Sequence, residues 1–133
     1  MEQVQVRTPV LNAVGIVCSD MARSLAFYRG LGLAVPETPD EGHVNIDLPN
    51  GFRLMLDTEA VIRSFRPDWM RQTGNQVSLA LECKTPAEVD QLYERIAGAG
   101  FEVDTPPWDA FWGQRYAQVR DPDGNPVDLF AAL

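Results

Sequence analysis

Histidine and cysteine are scarce in this sequence, and their scarcity argues against two classes of site. The 133 residues contain one histidine, His43, and two cysteines, Cys18 and Cys83, which have no CxxC spacing. Zinc sites and thiol redox centres draw on closely spaced residues of these types. Each cysteine lies in an apolar run with no cation that would activate it, so we interpret both as buried thiols rather than redox groups.

Basic residues are also few. The chain has 11 basic residues against 19 acidic ones, a formal charge of −8, and no cluster of Lys or Arg. Such a field repels phosphate backbones, so we expect no nucleic acid partner. The same excess could attract a cationic small molecule, although solubility is a simpler reason for it.

Long hydrophobic runs are missing as well. No apolar stretch approaches the roughly 20 residues that cross a bilayer, and Met1-Glu2-Gln3 has neither the basic flank nor the apolar core of a signal peptide. We therefore expect no membrane partner and a cytoplasmic location. The hydrophobic share of 45% and the length both suit one globular domain.

The first half of the chain predicts a strand, a helix and a hairpin. Residues 10–18 are apolar and β-branched, as in a covered strand. Ser19-Asp20 offers a helix N-cap and Gly32 a helix stop. After a loop rich in Pro, Asp and Glu at residues 36–42, alternation in residues 43–48 and 52–56 predicts a hairpin. There is room for an irregular strand before the hairpin.

The second half repeats this order. Residues 77–83 predict a strand, Thr85-Pro86 opens a helix that two glycines end, and residues 115–119 and 127–130 predict strands around a DPDGN turn. Cys18 and Cys83 stand 65 positions apart, as do Tyr28 and Tyr93. Internal duplication is the economical explanation.

These patterns predict an α+β fold in which residues 1–133 form a single domain of two βαβββ modules, at about 8–57 and 76–132. Each module would be a curved antiparallel sheet with a helix on its convex face, and the free concave faces would enclose a cleft. Residues 58–75 are predicted to be a linker. Its content of Phe65, Trp69 and Met70 is apolar for a spacer, so we expect it to pack across a sheet or a partner chain.

Two motifs carry a family resemblance. Residues 17–33 read VCSDMARSLAFYRGLGL, and residues 120–130 read RDPDGNPVDLF. Together they resemble the vicinal oxygen chelate superfamily, which includes glyoxalase I, extradiol dioxygenases, and the fosfomycin and bleomycin resistance proteins. The resemblance covers nearly the whole chain and implies the paired-module fold. It implies no single function, because this scaffold carries many chemistries.

The metal positions of the superfamily are altered in this chain. Metal-dependent members hold a divalent ion with four ligands, usually His and Glu, one from each of four strands. The resemblance places Ala13, Met55, Ser78 and Asp128 at these positions, which supply one carboxylate, whereas zinc takes four ligands. We therefore expect no metal and no cofactor. His43 and Asp128 could instead form a two-ligand metal site or an acid-base pair, or Asp128 could be satisfied by backbone donors at a strand end.

An aromatic stretch replaces the metal ligands as the candidate site. Residues 106–116, PPWDAFWGQRY, place four aromatic side chains behind a stiff Pro-Pro segment. We interpret it as a loop at the cleft, where Trp108 and Trp112 stack on a planar ligand; Phe111 and Tyr116 could instead pack in the core. The predicted ligand-binding residues are His43, Met55, Trp69, Ser78, Trp108, Phe111, Trp112, Arg115 and Asp128.

Within the superfamily, this stretch and residues 63–69 and 127–130 resemble the metal-free drug-binding branch, which includes bleomycin-binding and mitomycin-binding resistance proteins. That resemblance implies a homodimer whose clefts draw on both chains and sequester a small aromatic antibiotic, quinone-like or polycyclic. The alternative is an enzyme: a glyoxalase-like lyase or dioxygenase with a relocated metal, or a metal-free isomerase or hydrolase that uses His43 and Asp128. A third possibility is a regulatory domain with a vestigial cleft.

Overall fold

The computed structural model describes residues 7–37, 42–72 and 76–133 and forms two sheets with three helices in these ranges. The predicted α+β class is confirmed. No helix in the described part of the chain is long and apolar enough to span a bilayer. The elements are β1 (Ala13–Cys18), α1 (Met21–Gly30), β2 (His43–Asp47), β3 (Arg53–Thr58), α2 (Glu59–Phe65), β4 (Leu79–Glu82), α3 (Pro86–Gly98), β5 (Val103–Ala110), β6 (Gln114–Arg120) and β7 (Pro126–Ala132).

The two long helices begin at the predicted caps. The Asp20 side chain accepts a hydrogen bond from the backbone N–H of Arg23 at 3.1 Å. Thr85 does the same for Glu88 at 3.3 Å, and Pro86 fills the first helical position, where no N–H is needed. Both caps satisfy backbone donors that the first helical turn leaves without a partner.

The strands form two sheets with the same internal order. Sheet A has the order β1-β3-β2, and sheet B has the order β4-β7-β6-β5. In each sheet the strand before the helix pairs in parallel with the last strand of its half, so both sheets are mixed and the prediction of purely antiparallel sheets is wrong in this respect. Gly15 lies opposite Met55 in sheet A, and Ala80 lies opposite Asp128 in sheet B. Gly15 and Ala80 are 65 positions apart, so the sequence repeat is also a repeat of strand register.

One face of each sheet is covered and the other is open. In sheet A, Val44 and Leu56 are buried in a core with Phe27 of α1, whereas His43 and Asn45 on the alternate face are exposed. In sheet B, Ala117 and Leu129 are buried in the same core with Val89 and Ile96 of α3. The Phe27 ring meets Phe101 edge to face at 5.2 Å, which joins the two halves. The alternate face of sheet B carries the exposed Ala80 and Glu82 and the partly buried Gln118 and Asp128.

A buried carboxylate links α1 to the turn between β6 and β7. Asp121 is 2% exposed and accepts hydrogen bonds from the backbone N–H groups of Asp123 and Asn125 and from the Asn125 side chain. It also accepts from the Tyr28 hydroxyl at 2.8 Å. Burial raises the pKa of Tyr28 far above its usual value, so this hydroxyl keeps its proton and remains a donor.

Two segments differ from the sequence-based prediction. Residues 103–110 form the edge strand β5, although Pro106-Pro107 argued for a loop; an edge strand tolerates proline, and the register with β6 shifts beside these two residues. Residues 59–65 form helix α2 within the predicted linker, capped by Thr58 and burying Ile62. The possible strand before His43 and the end of the linker lie partly outside the described residues.

Candidate ligand-binding site

Four aromatic side chains cluster at the end of the hairpin formed by β5 and β6. Trp108 lies opposite Tyr116 in the strand register, and Phe111 and Trp112 follow on the turn. Trp112 makes edge-to-face contacts with Trp108 at 5.5 Å, with Phe111 at 4.9 Å and with Tyr116 at 5.4 Å between ring centroids. We call these four residues the aromatic cluster.

The aromatic cluster remains accessible. Trp108 is 38% exposed, Trp112 48% and Phe111 91%. Phe111 is therefore not a core residue, whereas Tyr116 is partly buried within sheet B. The Trp112 indole N–H donates to the Gln114 side chain at 2.8 Å, which orients the ring without burying it. Large rings that contact one another and are still exposed are suited to contact with an apolar ligand.

A polar group adjoins the aromatic cluster on the open face of sheet B. Asp128 accepts a hydrogen bond from Gln118 at 2.6 Å, and the Ser78 hydroxyl lies 3.5 Å from its other oxygen. Burial first, and then the hydrogen bond to Asp128, raise the pKa of Tyr116 to about 12, so its hydroxyl is a donor at neutral pH. Asp128 is thus held by side-chain donors, not by the backbone donors that one interpretation assumed.

His43 and Met55 lie on the other sheet. His43 Nδ1 is 2.5 Å from Asp57 Oδ1, because these residues are opposite each other in the β2-β3 hairpin. Met55 stands in the next row, opposite Asn45 and Gly15. The structure therefore gives His43 a partner of its own and does not pair it with Asp128, which removes the geometric basis for the acid-base pair considered above.

Arg115 does not share the open face. Its side chain bonds Asp90 of α3 at 3.0 Å and Asp109 at 3.1 Å, and it alternates along β6 with Tyr116 and Gln118. The expected ligand contact from Arg115 is therefore replaced by a link between sheet and helix. The hydrogen bonds that Arg115 donates to Asp90, and then to Asp109, raise the pKa of Arg115 above its usual value.

Trp69 lies in a different place from the aromatic cluster. It follows α2, and the guanidinium carbons of Arg63 and Arg71 lie 5.2 and 5.6 Å from its ring centroid. Together with Ser78 it lines a cavity of about 580 Å³ between β1 and β4. Arg71 crosses this region through bonds to Glu59, Asp123 and the Val17 carbonyl. Through these bonds Arg71 joins β1, α2 and the turn between β6 and β7 beside the cavity. Its polar groups are thereby engaged within the protein, so the cavity is a weaker candidate site than the exposed rings.

Two residues that bond to predicted site residues were not predicted from the sequence: Asp57, the partner of His43, and Gln118, the partner of Asp128. Asp57 could have been identified from the hairpin turn, because pairing Leu48 with Phe52 sets His43 opposite Asp57. Gln118 could have been identified from the alternation of β6, which puts it on the same face as Tyr116. Neither residue belongs to a motif, so only the strand register reveals it.

The four inherited metal positions do not form a metal site. Ala13 and Met55 are in sheet A, Asp128 is in sheet B, and Ser78 precedes β4. Asp128 is the only carboxylate of the set, and its oxygens are engaged by Gln118 and Ser78. Across residues 7–37, 42–72 and 76–133, no three His, Cys, Asp or Glu side chains are grouped as a metal ion requires. The residues present therefore do not fit the divalent ion of the metal-dependent relatives.

This donor set leads to a prediction about metal content. Purified protein should contain well under one equivalent of Zn, Fe, Mn or Ni per chain, because alanine, methionine and serine cannot replace imidazole and carboxylate ligands. Elemental analysis after dialysis checks the result. The matched control is the Ala13→His, Met55→Glu double variant, which restores two of the ligand types. A tightly held equivalent of metal in the unmodified protein would contradict the prediction.

Comparison with known proteins agrees with this fold. The profile described as Glyoxalase/Bleomycin resistance protein/Dioxygenase superfamily matches residues 10–129. A search of curated proteins found no significant match. Many solved structures are similar.

Three of the similar structures illustrate the range. A glyoxalase/bleomycin resistance protein/dioxygenase from Nocardioides is 29% identical, with a TM-score of 0.74 over 98% of this chain and 87% of the other. The hypothetical protein SA1046 from S. aureus is 23% identical, with a TM-score of 0.79 over 96% and 97%. A lactoylglutathione lyase from Agrobacterium tumefaciens is 20% identical, with a TM-score of 0.68 over 94% and 95%. At these identities the last two share the fold alone.

Proposed function

Since the chain belongs to the glyoxalase/bleomycin resistance protein/dioxygenase superfamily, we propose that it is a non-catalytic member that binds a planar aromatic molecule, quinone-like or polycyclic, and protects its host by sequestering this antibiotic. The observation that carries the proposal is the aromatic cluster, where Trp108 and Trp112 are ordered and exposed beside the polar group of Asp128. Stacking and burial of a drug-sized ligand can give micromolar to nanomolar affinity, about 8 to 12 kcal/mol, without any chemistry.

The composition of the two open faces supports binding over catalysis. The donor set at the inherited metal positions cannot hold a catalytic ion, and His43 is paired with Asp57 on one sheet while Asp128 is bonded on the other. An acid-base pair would need both groups within hydrogen-bonding reach of one substrate, and the structure holds His43 and Asp128 on different sheets. The described residues around Asp128 are aromatic rings, the Gln118 amide and the hydroxyl groups of Ser78 and Tyr116, a set suited to binding a ring system and orienting its polar edge.

Calorimetric titration with three planar tricyclic compounds tests the proposal. Acridone is neutral, aminoacridine is a cation at neutral pH, and anthraquinone sulfonate is an anion. We expect saturable binding of at least one compound, at micromolar affinity or better. The matched control is the Trp108→Ala, Trp112→Ala double variant, which should lose the heat signal while its thermal melt remains native. Absence of saturable binding for all three compounds would contradict the proposed function.

We also propose that the protein is a homodimer. Each sheet leaves one face open, and the large apolar side chains of Val77, Phe65 and Met70 are exposed on the chain. Exposed apolar surface of this kind is usually covered by a partner. Sedimentation equilibrium at tens of micromolar, the range in which stable interfaces remain associated, should give twice the chain mass of 14.8 kDa. A single species at 14.8 kDa would contradict this prediction.

A further inference from the structure

The open face of sheet B carries a negative charge that its own donors do not balance. Asp128 accepts hydrogen bonds from Gln118, Ser78 and Tyr116, and none of these donors is charged. Glu82 stands in the next row of the sheet, opposite Phe130. Because no positively charged side chain of the described residues is bonded to Asp128, this face attracts a cation.

The arginines of β6 do not neutralise this charge. Arg115 faces α3, where it bonds Asp90, and it also bonds Asp109. Arg120 lies at the far end of β6, where it bonds Asp104 at 2.7 Å and the Gly124 carbonyl at 2.8 Å. Both guanidinium groups therefore form ion pairs with carboxylates other than Asp128. The negative charge of Asp128 is not balanced by either arginine.

The aromatic cluster adds a second attraction for positive charge. The faces of aromatic rings are electron-rich, and a cation within about 6 Å of a Trp or Tyr centroid is stabilised. Tyr116 connects the two attractions, because its ring lies 5.4 Å from that of Trp112 and its hydroxyl donates to Asp128. A ligand that lies on the rings thus has its edge close to the carboxylate.

We propose that this face selects planar aromatic cations that carry a protonated nitrogen, with its N–H group on Asp128 and the ring system on Trp108 and Trp112. The inference rests on the proposed function and narrows its ligand class. A protonated nitrogen donates a charge-assisted hydrogen bond to Asp128 without displacing the rings. A neutral analogue makes only the ring contacts, and an anionic analogue is repelled.

The three tricyclic compounds also test this inference. Aminoacridine should bind about tenfold more tightly than acridone, and anthraquinone sulfonate more weakly than acridone, because only the cation gains from the carboxylate and the ring faces. In the Asp128→Asn variant the preference for aminoacridine over acridone should fall from about tenfold to about twofold. Thermal melts show whether the variant is folded.

Two further measurements keep the test decisive if Asp128→Asn does not fold. Raising the salt concentration should weaken aminoacridine binding to the unmodified protein and leave acridone binding unchanged, because salt screens exposed charges. Glu82→Gln should reduce aminoacridine affinity alone, by about twofold. Equal affinity for the three compounds, or a cation preference that salt and folded variants do not change, would overturn the inference while leaving the aromatic site in place. No binding of any compound would overturn the proposed function itself.

Discussion

Replacing Trp112 with alanine is expected to weaken binding of a planar ligand about 30-fold, which corresponds to about 2 kcal/mol, the scale of a buried aromatic anchor at a binding site. Trp112 is the centre of the aromatic cluster, in edge-to-face contact with Trp108, Phe111 and Tyr116. Calorimetric titration with acridone measures the loss without a contribution from charge. Trp108→Ala should have an effect of the same order.

The same variant should fold normally. Trp112 is 48% exposed, so its removal leaves no closed cavity, whereas truncating a core tryptophan costs roughly 3 to 5 kcal/mol of stability. Trp69→Phe is the matched control, because Trp69 lies near two arginines away from the aromatic cluster. Unchanged acridone affinity in both cluster variants, or a loss of binding that only follows unfolding, would show that these rings are structural.

Replacing Asp121 with alanine is expected to lower the free energy of unfolding by about 3 kcal/mol or more. Asp121 is 2% exposed and accepts four hydrogen bonds, so its removal leaves buried donors without a partner, at about 1 to 3 kcal/mol for each unsatisfied group. For a domain of this size the melting temperature should fall by about 10 °C. Thermal denaturation followed by circular dichroism measures the shift.

Tyr28→Phe and Asp68→Ala serve as graded controls for this result. Tyr28→Phe removes one of the four donors and should cost about 1 to 2 kcal/mol. Asp68 lies in an exposed loop after α2, and its removal should change stability by less than about 0.5 kcal/mol. If Asp121→Ala melted within a few degrees of the parent protein, this carboxylate would not be the link between α1 and the turn between β6 and β7.

Local signals explain why much of the fold could be predicted. The N-caps at Asp20 and Thr85 and the turn after Leu48 each act within a few residues, so composition and spacing reveal them. Strand β5 was missed because Pro106-Pro107 opposes strand formation locally, and the position at the edge of sheet B that tolerates it is set by tertiary structure. Helix α2 was not predicted because it buries a single residue, Ile62. One buried position does not produce the apolar periodicity by which a helix is predicted.

The site was predicted less completely for the same reason. Trp108 and Asp128 are on the same face of sheet B, but Trp108 belongs to a strand that the sequence did not predict, and the partners of both residues follow from strand register. Arg115 was assigned to the ligand because a cation beside aromatic residues is suited to that role; its position on the helix side depends on Asp90 of α3, which the local pattern does not show. Contacts between distant elements are where sequence patterns give least information.

Recovery of the ligand after prolonged incubation is the most direct test of sequestration. The protein would be mixed with a tenfold excess of acridone or aminoacridine, held at 25 °C, denatured, and the compound quantified by mass spectrometry, with the Trp108→Ala, Trp112→Ala variant in parallel. We expect saturable binding in a fixed ratio to the chain and full recovery of unchanged compound. Conversion of more compound than there is protein, lost in the double variant, would show turnover at this site and would rule out sequestration.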